Sequence, residues 1–312
     1  MEGYSDFWIY LFIFHVILVF FGLFSQNVFM KYIVLDKKIY FYGRVYLFFL
    51  SLSYQTILIT FMAMTVICLK YGTMFEREQC KEARMIPLVL HNFAEFVVVI
   101  FHMLINFDRL ILAFRPMRSR GRASKIYFYA SICVSISLGV VYTEWAHYED
   151  YRKSLALGAV CTVMVINLII ECKLVYYTPV VFVNTIGVVP LENRFELSTS
   201  VSMIKCFLPA SACGLVFKFI VVLFYSVSYM LTEPEDIPPF YFVLNVFWNL
   251  DCALFPWFFI FFNPAKKQKL QKLFKIESAP ASLAHQNHKN HSVQSQHEHF
   301  DQFRGLWKVE VL

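Results

Sequence analysis

Charge is the scarcest commodity in this chain. Only 16% of its 312 residues are Asp, Glu, Lys or Arg, against about 25% in soluble globular proteins. That shortfall excludes an ordinary soluble domain. Gly-rich phosphate loops, nucleophile elbows and paired metal motifs are also lacking, so no enzyme and no resident cofactor or metal is expected. No internal repeat stands out, which argues against a repeat-built transporter. Residues 1–6 carry no basic segment, and the apolar run behind them is too long for a cleavable leader, so the first span is expected to act as its own uncleaved signal. The eight Cys do not form a small disulfide framework, since most fall inside apolar runs, where a thiol is usually a small filler.

What is present is hydrophobic length. The chain is 58% hydrophobic and contains 35 Phe. Runs such as Trp8 to Met30 and Tyr46 to Leu69 suffice to cross a hydrocarbon core about 30 Å thick as helices. Lipid offers no partners to bare backbone, so such runs must be helical and must pack together. Seven spans are read at 7–30, 45–69, 85–112, 124–145, 155–176, 203–230 and 239–262. The expected fold is an all-α membrane protein, a bundle of seven transmembrane helices. Glu171 and Lys173 interrupt the inner end of span five, and the apolar stretch behind them, 174–190, is expected to form a cytoplasmic loop.

Lys and Arg in the loops set the orientation. One side holds Lys31, Lys37, Lys38 and Arg44, then Arg115, Arg118, Arg120, Arg122 and Lys125, then five lysines between 266 and 275. The last loop on the opposite side has Glu233, Glu235, Asp236 and no base. The N-terminus is therefore expected outside and the C-terminus inside, which agrees with an odd number of spans. The basic residues are accounted for by topology, so no nucleic-acid partner is expected despite a pI near 8.8. After Asn263-Pro264, residues Leu270, Leu273 and Phe274 share one helical face among lysines. They suggest a short amphipathic helix on the inner leaflet; the plainer reading is a solvated basic start to the tail. Residues 1–275 are read as the membrane domain and 276–312, rich in Ser, His, Gln and Asn, as a disordered cytoplasmic tail.

Few residues within the spans offer chemistry. Asp108-Arg109 ends span three, with Arg115 and Arg118 close behind. An acid–base dipeptide there is either a latch, in which the acid holds the arginine until helices move, or an arginine snorkelling beside its counter-ion. Lys218, Asp251 and Glu95 lie deep in spans six, seven and three. Ions in lipid are costly, so they should face the interior and pair. Lys218 and Asp251 match in depth and form either a clamp between helices or a contact for a polar ligand group. His91 precedes Glu95 by one turn, with Asn92 adjacent. This face, with Tyr225, Phe247 and Trp248, is the candidate wall of an outward-facing small-molecule pocket. His91 and Glu95 lack a third partner for a metal site. Cys68 and Cys80 both fall on the oxidising side, where they either close an eleven-residue loop as a disulfide or remain thiols.

Several of these residues resemble motifs of the nematode serpentine chemoreceptors, in particular their alpha superfamily (alpha, alpha-beta, beta or epsilon-like classes). Cys68, an eleven-residue gap, Cys80, three residues and Arg84 resemble that superfamily's outer cysteines and following arginine. Asp108-Arg109 is similar to its acidic–Arg pair, usually Glu-Arg. Arg194-Phe195-Glu196-Leu197-Ser198 is similar to its Leu-Ser segment, without the Tyr-Gln and Glu-Asn positions that often follow. The likeness covers most of residues 1–275. It implies a G-protein-coupled receptor and signal transducer in the ciliary membrane of a sensory neuron, with a small-molecule ligand and a heterotrimeric G protein as partners. The rhodopsin-like sodium pocket and toggle are not implied, because span two has no Asp and span six no Cys-Trp-x-Pro. A multi-pass transporter or channel using Lys218, Asp251 and Glu95 is the alternative.

Overall fold

Long apolar sequence becomes long helix in the computed structural model, which describes residues 6–36, 39–71, 78–114, 122–147, 150–186, 188–189, 191–231, 237–263 and 267. Among these there are seven α-helices and no strand: α1 (Asp6–Phe29), α2 (Phe41–Tyr71), α3 (Glu78–Phe114), α4 (Arg122–His147), α5 (Asp150–Asn184), α6 (Leu191–Leu231) and α7 (Ile237–Phe261). α1 ends in a π-helical turn, Met30–Val34. Six helices carry apolar stretches of 20 or more residues; that of α7, Asn245–Phe261, is shorter. At 1.5 Å per residue the 25 residues of α7 still span about 38 Å. Residues 1–267 form one compact unit. The expected helix over 270–274, the boundary at 275 and the tail lie outside the described residues.

The outward faces are as apolar as the inward ones. Phe20, Val141, Val165 and Phe224 are all exposed, a surface that a water-soluble protein does not tolerate over such an extent. This is a multi-pass membrane protein. α2 packs against α3, α5 against α6, α6 against α7, and α1 closes the ring on α7. α3 touches α2, α4, α5 and α6 and is the central strut. The core holds Phe101 and a cluster of Phe29, Phe207, Phe255 and Phe259, whose rings meet edge-on or tilted at 4.6–6.0 Å, the arrangement aromatic quadrupoles favour.

The structure corrects the reading of span five. Glu171 and Lys173 do not end the helix, and 174–184 is helix rather than loop. Two residues on a helix are separated by about 200°. Glu171 therefore turns into the core, fully buried, while Lys173 points outward. α6 likewise starts at Leu191, twelve residues before the expected start at 203.

Prolines inside the helices leave carbonyls without their usual donor. Pro256 on α7 cannot donate to the Cys252 carbonyl. Gln26 of α1 takes that role, its Nε2 donating at 2.7 Å, while its Oε1 accepts from Ser51 Oγ of α2 at 2.9 Å. One amide thus ties three helices at a backbone defect.

Candidate functional site

Two polar regions lie on the axis of the bundle. The first is built on α7 by Trp248 and Asp251, three residues apart and so on one face. Across from them, α6 presents Gly214 and Lys218, one turn apart. Lys218 Nζ lies 3.6 Å from Asp251 Oδ2 and 4.8 Å from the centroid of the Trp248 ring. The ammonium thus has a carboxylate on one side and a π-face on the other. Gly214 makes room for the carboxylate: a Cβ there would stand 2.8 Å from Asp251 Oδ1.

α3 supplies the opposite wall. His91 and Glu95 are buried one turn apart, and His102 is buried two turns further along. Lys218 acts electrostatically on both Glu95 and His102. The His102 ring meets Phe207 of α6 and Phe255 of α7 edge-on at 4.9 and 5.5 Å. His91 Nδ1 lies 3.2 Å from Thr60 Oγ1 of α2. The Thr60 hydroxyl already donates to the Thr56 carbonyl at 2.7 Å, so the imidazole N–H is the donor in this pair. Asn92 is half-buried beside it. Phe247 packs at the edge of the Val221–Trp248 contact, with its ring 6.0 Å from that of Phe217. The side chains of Tyr225, Cys68 and Cys80 lie outside the described residues, as do Arg115 and Arg118. No cluster of three His, Cys, Asp or Glu suited to a metal ion occurs among the described residues.

The second region lies where α2 begins and α3 nears its end, on the side of Lys31 and Arg44 (hereafter the basic end). Arg109 is 1% exposed. Its guanidinium lies 4.7 Å from the centroid of the Tyr40 ring, and Nη2 donates to Met203 Sδ of α6 at 3.3 Å. Nε and Nη1 have no hydrogen-bond partner among the described residues. The Tyr40 hydroxyl donates to Asp108. Tyr40 therefore bridges the dipeptide, with its ring under the base and its hydroxyl on the acid. Gly43 permits this, since a Cβ there would fall 2.8 Å from the Tyr40 ring and 2.9 Å from Arg109 Nη2.

Between the two regions lies a hydrogen-bonded cluster around the Glu171 carboxyl. Asn106 Nδ2 donates to Glu171 Oε1 at 2.9 Å, and Ser211 Oγ donates to the same oxygen at 2.9 Å. Asn167 Oδ1 sits 3.3 Å from Asn106 Nδ2. α3, α5 and α6 are joined here, three residues before Arg109 on α3 and seven before Lys218 on α6. Sequence reasoning missed Tyr40, Met203, Asn106 and Ser211, because each acts through a partner distant in sequence. A groove of ≈ 460 Å³ between α1 and α2 is lined by apolar side chains, among them Val19, Met62 and Val66, and by none of the charged residues. It faces the lipid side, where Phe20 and Ile59 are exposed.

No family model matches the chain, and no curated protein matches its sequence. Its structure is similar to the crystal structure of squid rhodopsin, with a TM-score of 0.51 over 88% of each chain at 13% sequence identity. The chain has the rhodopsin-type seven-helix fold. At that identity the likeness concerns the path of the backbone, and roles for individual side chains rest on their own geometry.

Proposed function

We propose that this protein is a G-protein-coupled chemoreceptor of the plasma membrane, of the nematode serpentine alpha superfamily, acting in the cilium of a sensory neuron. A small molecule binds between the outer halves of the helices, against the face of His91, Asn92 and Glu95 and the aromatic groups Tyr225, Phe247 and Trp248. It favours a state whose inner face is open to a heterotrimeric G protein. The basic end is then cytosolic, and Arg109, Arg115 and Arg118 meet the G protein there. The observation that carries this reading is Arg109. It is a buried arginine at the basic end of α3 that reaches α6 through a thioether and leaves two nitrogens unmet among the described residues. A thioether is a weak acceptor, so parting α3 from α6 sacrifices little and frees a guanidinium for a stronger partner.

The decisive variant is Arg109→Ala. Signalling in a reporter cell should fall to background while surface expression stays intact; full signalling from the variant removes Arg109 from this role. The buried ions Lys218, Asp251 and Glu95 favour a second reading, a transporter or channel. Ligand-dependent current or flux in cells lacking the G protein is its signature. An N-terminal tag found in the cytosol would turn the topology over and point to an inverted seven-helix channel.

A further inference from the structure

We infer that the buried polar region between α3, α6 and α7 takes a small molecule bearing a protonated amine, with Glu95 as its counter-ion and His91 Nε2 as a second acceptor. This deepens the receptor reading and rests on it for the location of the pocket.

Charge accounting comes first. Lys218, Asp251 and Glu95 are all at least nine-tenths buried, at 2%, 5% and 6% exposure. The single cation is already engaged by the Asp251 carboxylate and the Trp248 ring. Glu95 feels Lys218 only across space, and no hydrogen-bond donor reaches it among the described residues. An isolated carboxylate in a medium of low dielectric constant carries a large desolvation cost unless something neutralises it. With Asp251 and Glu95 both ionised, one base faces two acids, and the cluster is one positive charge short; a cationic ligand favours that ionised form of Glu95.

Hydrogen-bond accounting gives the same answer independently. Because the His91 N–H is committed to Thr60, its Nε2 presents a lone pair, and this atom is buried with no partner among the described residues. His102 Nε2 is likewise buried and unmet among the described residues. Residues one turn apart on a helix place their Cβ atoms about 6 Å from each other. His91 and Glu95 thus offer two neighbouring acceptors and no donor. A neutral ether or ester would leave both unmet, and a carboxylate would add to the excess negative charge. An ammonium group brings three N–H donors and one positive charge.

The test uses the full chain in lipid nanodiscs and matched probes on two carbon skeletons, hexyl and phenethyl, each as the amine, the alcohol and the carboxylate. Binding is read by thermal shift and by competition, with no G protein present. The amine is expected to bind at least about tenfold more tightly than its alcohol and its carboxylate, as a charge-assisted hydrogen bond predicts. Glu95→Gln should bring amine and alcohol together, and Glu95→Asp should keep part of the preference. The inference is overturned if the carboxylate binds best, which would make Lys218 the contact. It is equally overturned if amine and alcohol bind alike to the natural chain, if the preference survives Glu95→Gln, or if neither amine binds by about 1 mM, the weak end of specific affinities. The natural chain alone decides most of these outcomes, so a poorly folding variant does not remove the test. Amine-selective binding without G-protein activation would leave this inference standing and remove the receptor reading; signalling by a ligand without an amine would do the reverse.

Discussion

Lys218, about two-thirds of the way along α6, is met by a carboxylate at 3.6 Å and an aromatic face at 4.8 Å. Arg109, near the basic end of α3, is met by an aromatic face at 4.7 Å and a thioether at 3.3 Å. Both cations are almost fully buried and both rest on a ring. They differ in the second partner. Lys218 has a full negative charge, seated against Gly214, and Arg109 has a neutral sulfur. A buried ion pair is hard to open, because either partner left alone is strongly penalised. A buried guanidinium on sulfur, with two nitrogens unmet among the described residues, lies closer to release. The contrast assigns the middle of the bundle to holding helices together and the basic end to rearrangement.

The largest expected effect lies at the pair. Neutralising Lys218 or Asp251 alone should cost about 3–5 kcal/mol, since the other charge is left buried and uncompensated. Surface expression should fall sharply in either single variant. Exchanging the two residues should recover most of the loss. If the exchanged chain expresses no better than the single variants, Asp251 is not what stabilises Lys218, and the contrast with Arg109 collapses.

A smaller effect is expected at the other pole. Tyr40→Phe keeps the ring beneath Arg109 and deletes the hydroxyl that donates to Asp108. A hydrogen bond to a carboxylate contributes about 1.5–3 kcal/mol net. Ligand-independent signalling should therefore rise about tenfold or more at unchanged surface expression. Basal signalling equal to that of the natural chain would show that Tyr40 packs the basic end without restraining it.

The two regions were not equally legible. Span number and orientation rest on length and charge, which sequence displays directly. Lys218 and Asp251 stand out because matched depth on two helices leaves few other partners. Glu171 misled because a running count of hydropathy ignores the face of the helix; the residue two places on pointed outward and only imitated a break. Tyr40 could not be read at all. It reaches Asp108 from 68 positions away, and a tyrosine in a basic loop looks like any interfacial aromatic. Met203 was hidden for a similar reason, since a thioether in a span reads as filler. Gln26 had a signal that went unused: Pro256 announces that the carbonyl of residue 252 needs a donor.

That last residue allows the finest test, because it shows a neutral polar group buried as fully as the charges. Gln26 is fully buried and donates to the Cys252 carbonyl, next to Asp251. Gln26→Leu should lower thermal stability by about 1–2 kcal/mol, leaving that carbonyl unsatisfied. Pro256→Ala restores a backbone N–H four residues after Cys252 and with it the ordinary helical donor. In that background Gln26→Leu should cost about 1 kcal/mol less, a coupling readable from a double-mutant cycle in detergent. Strict additivity would mean that the glutamine does not serve the proline's orphan carbonyl. A positive coupling would place α7 on a neutral tether beside its ion pair. The middle of the bundle would then be fastened twice, once by charge and once by backbone, while the basic end relies on Tyr40 and a sulfur.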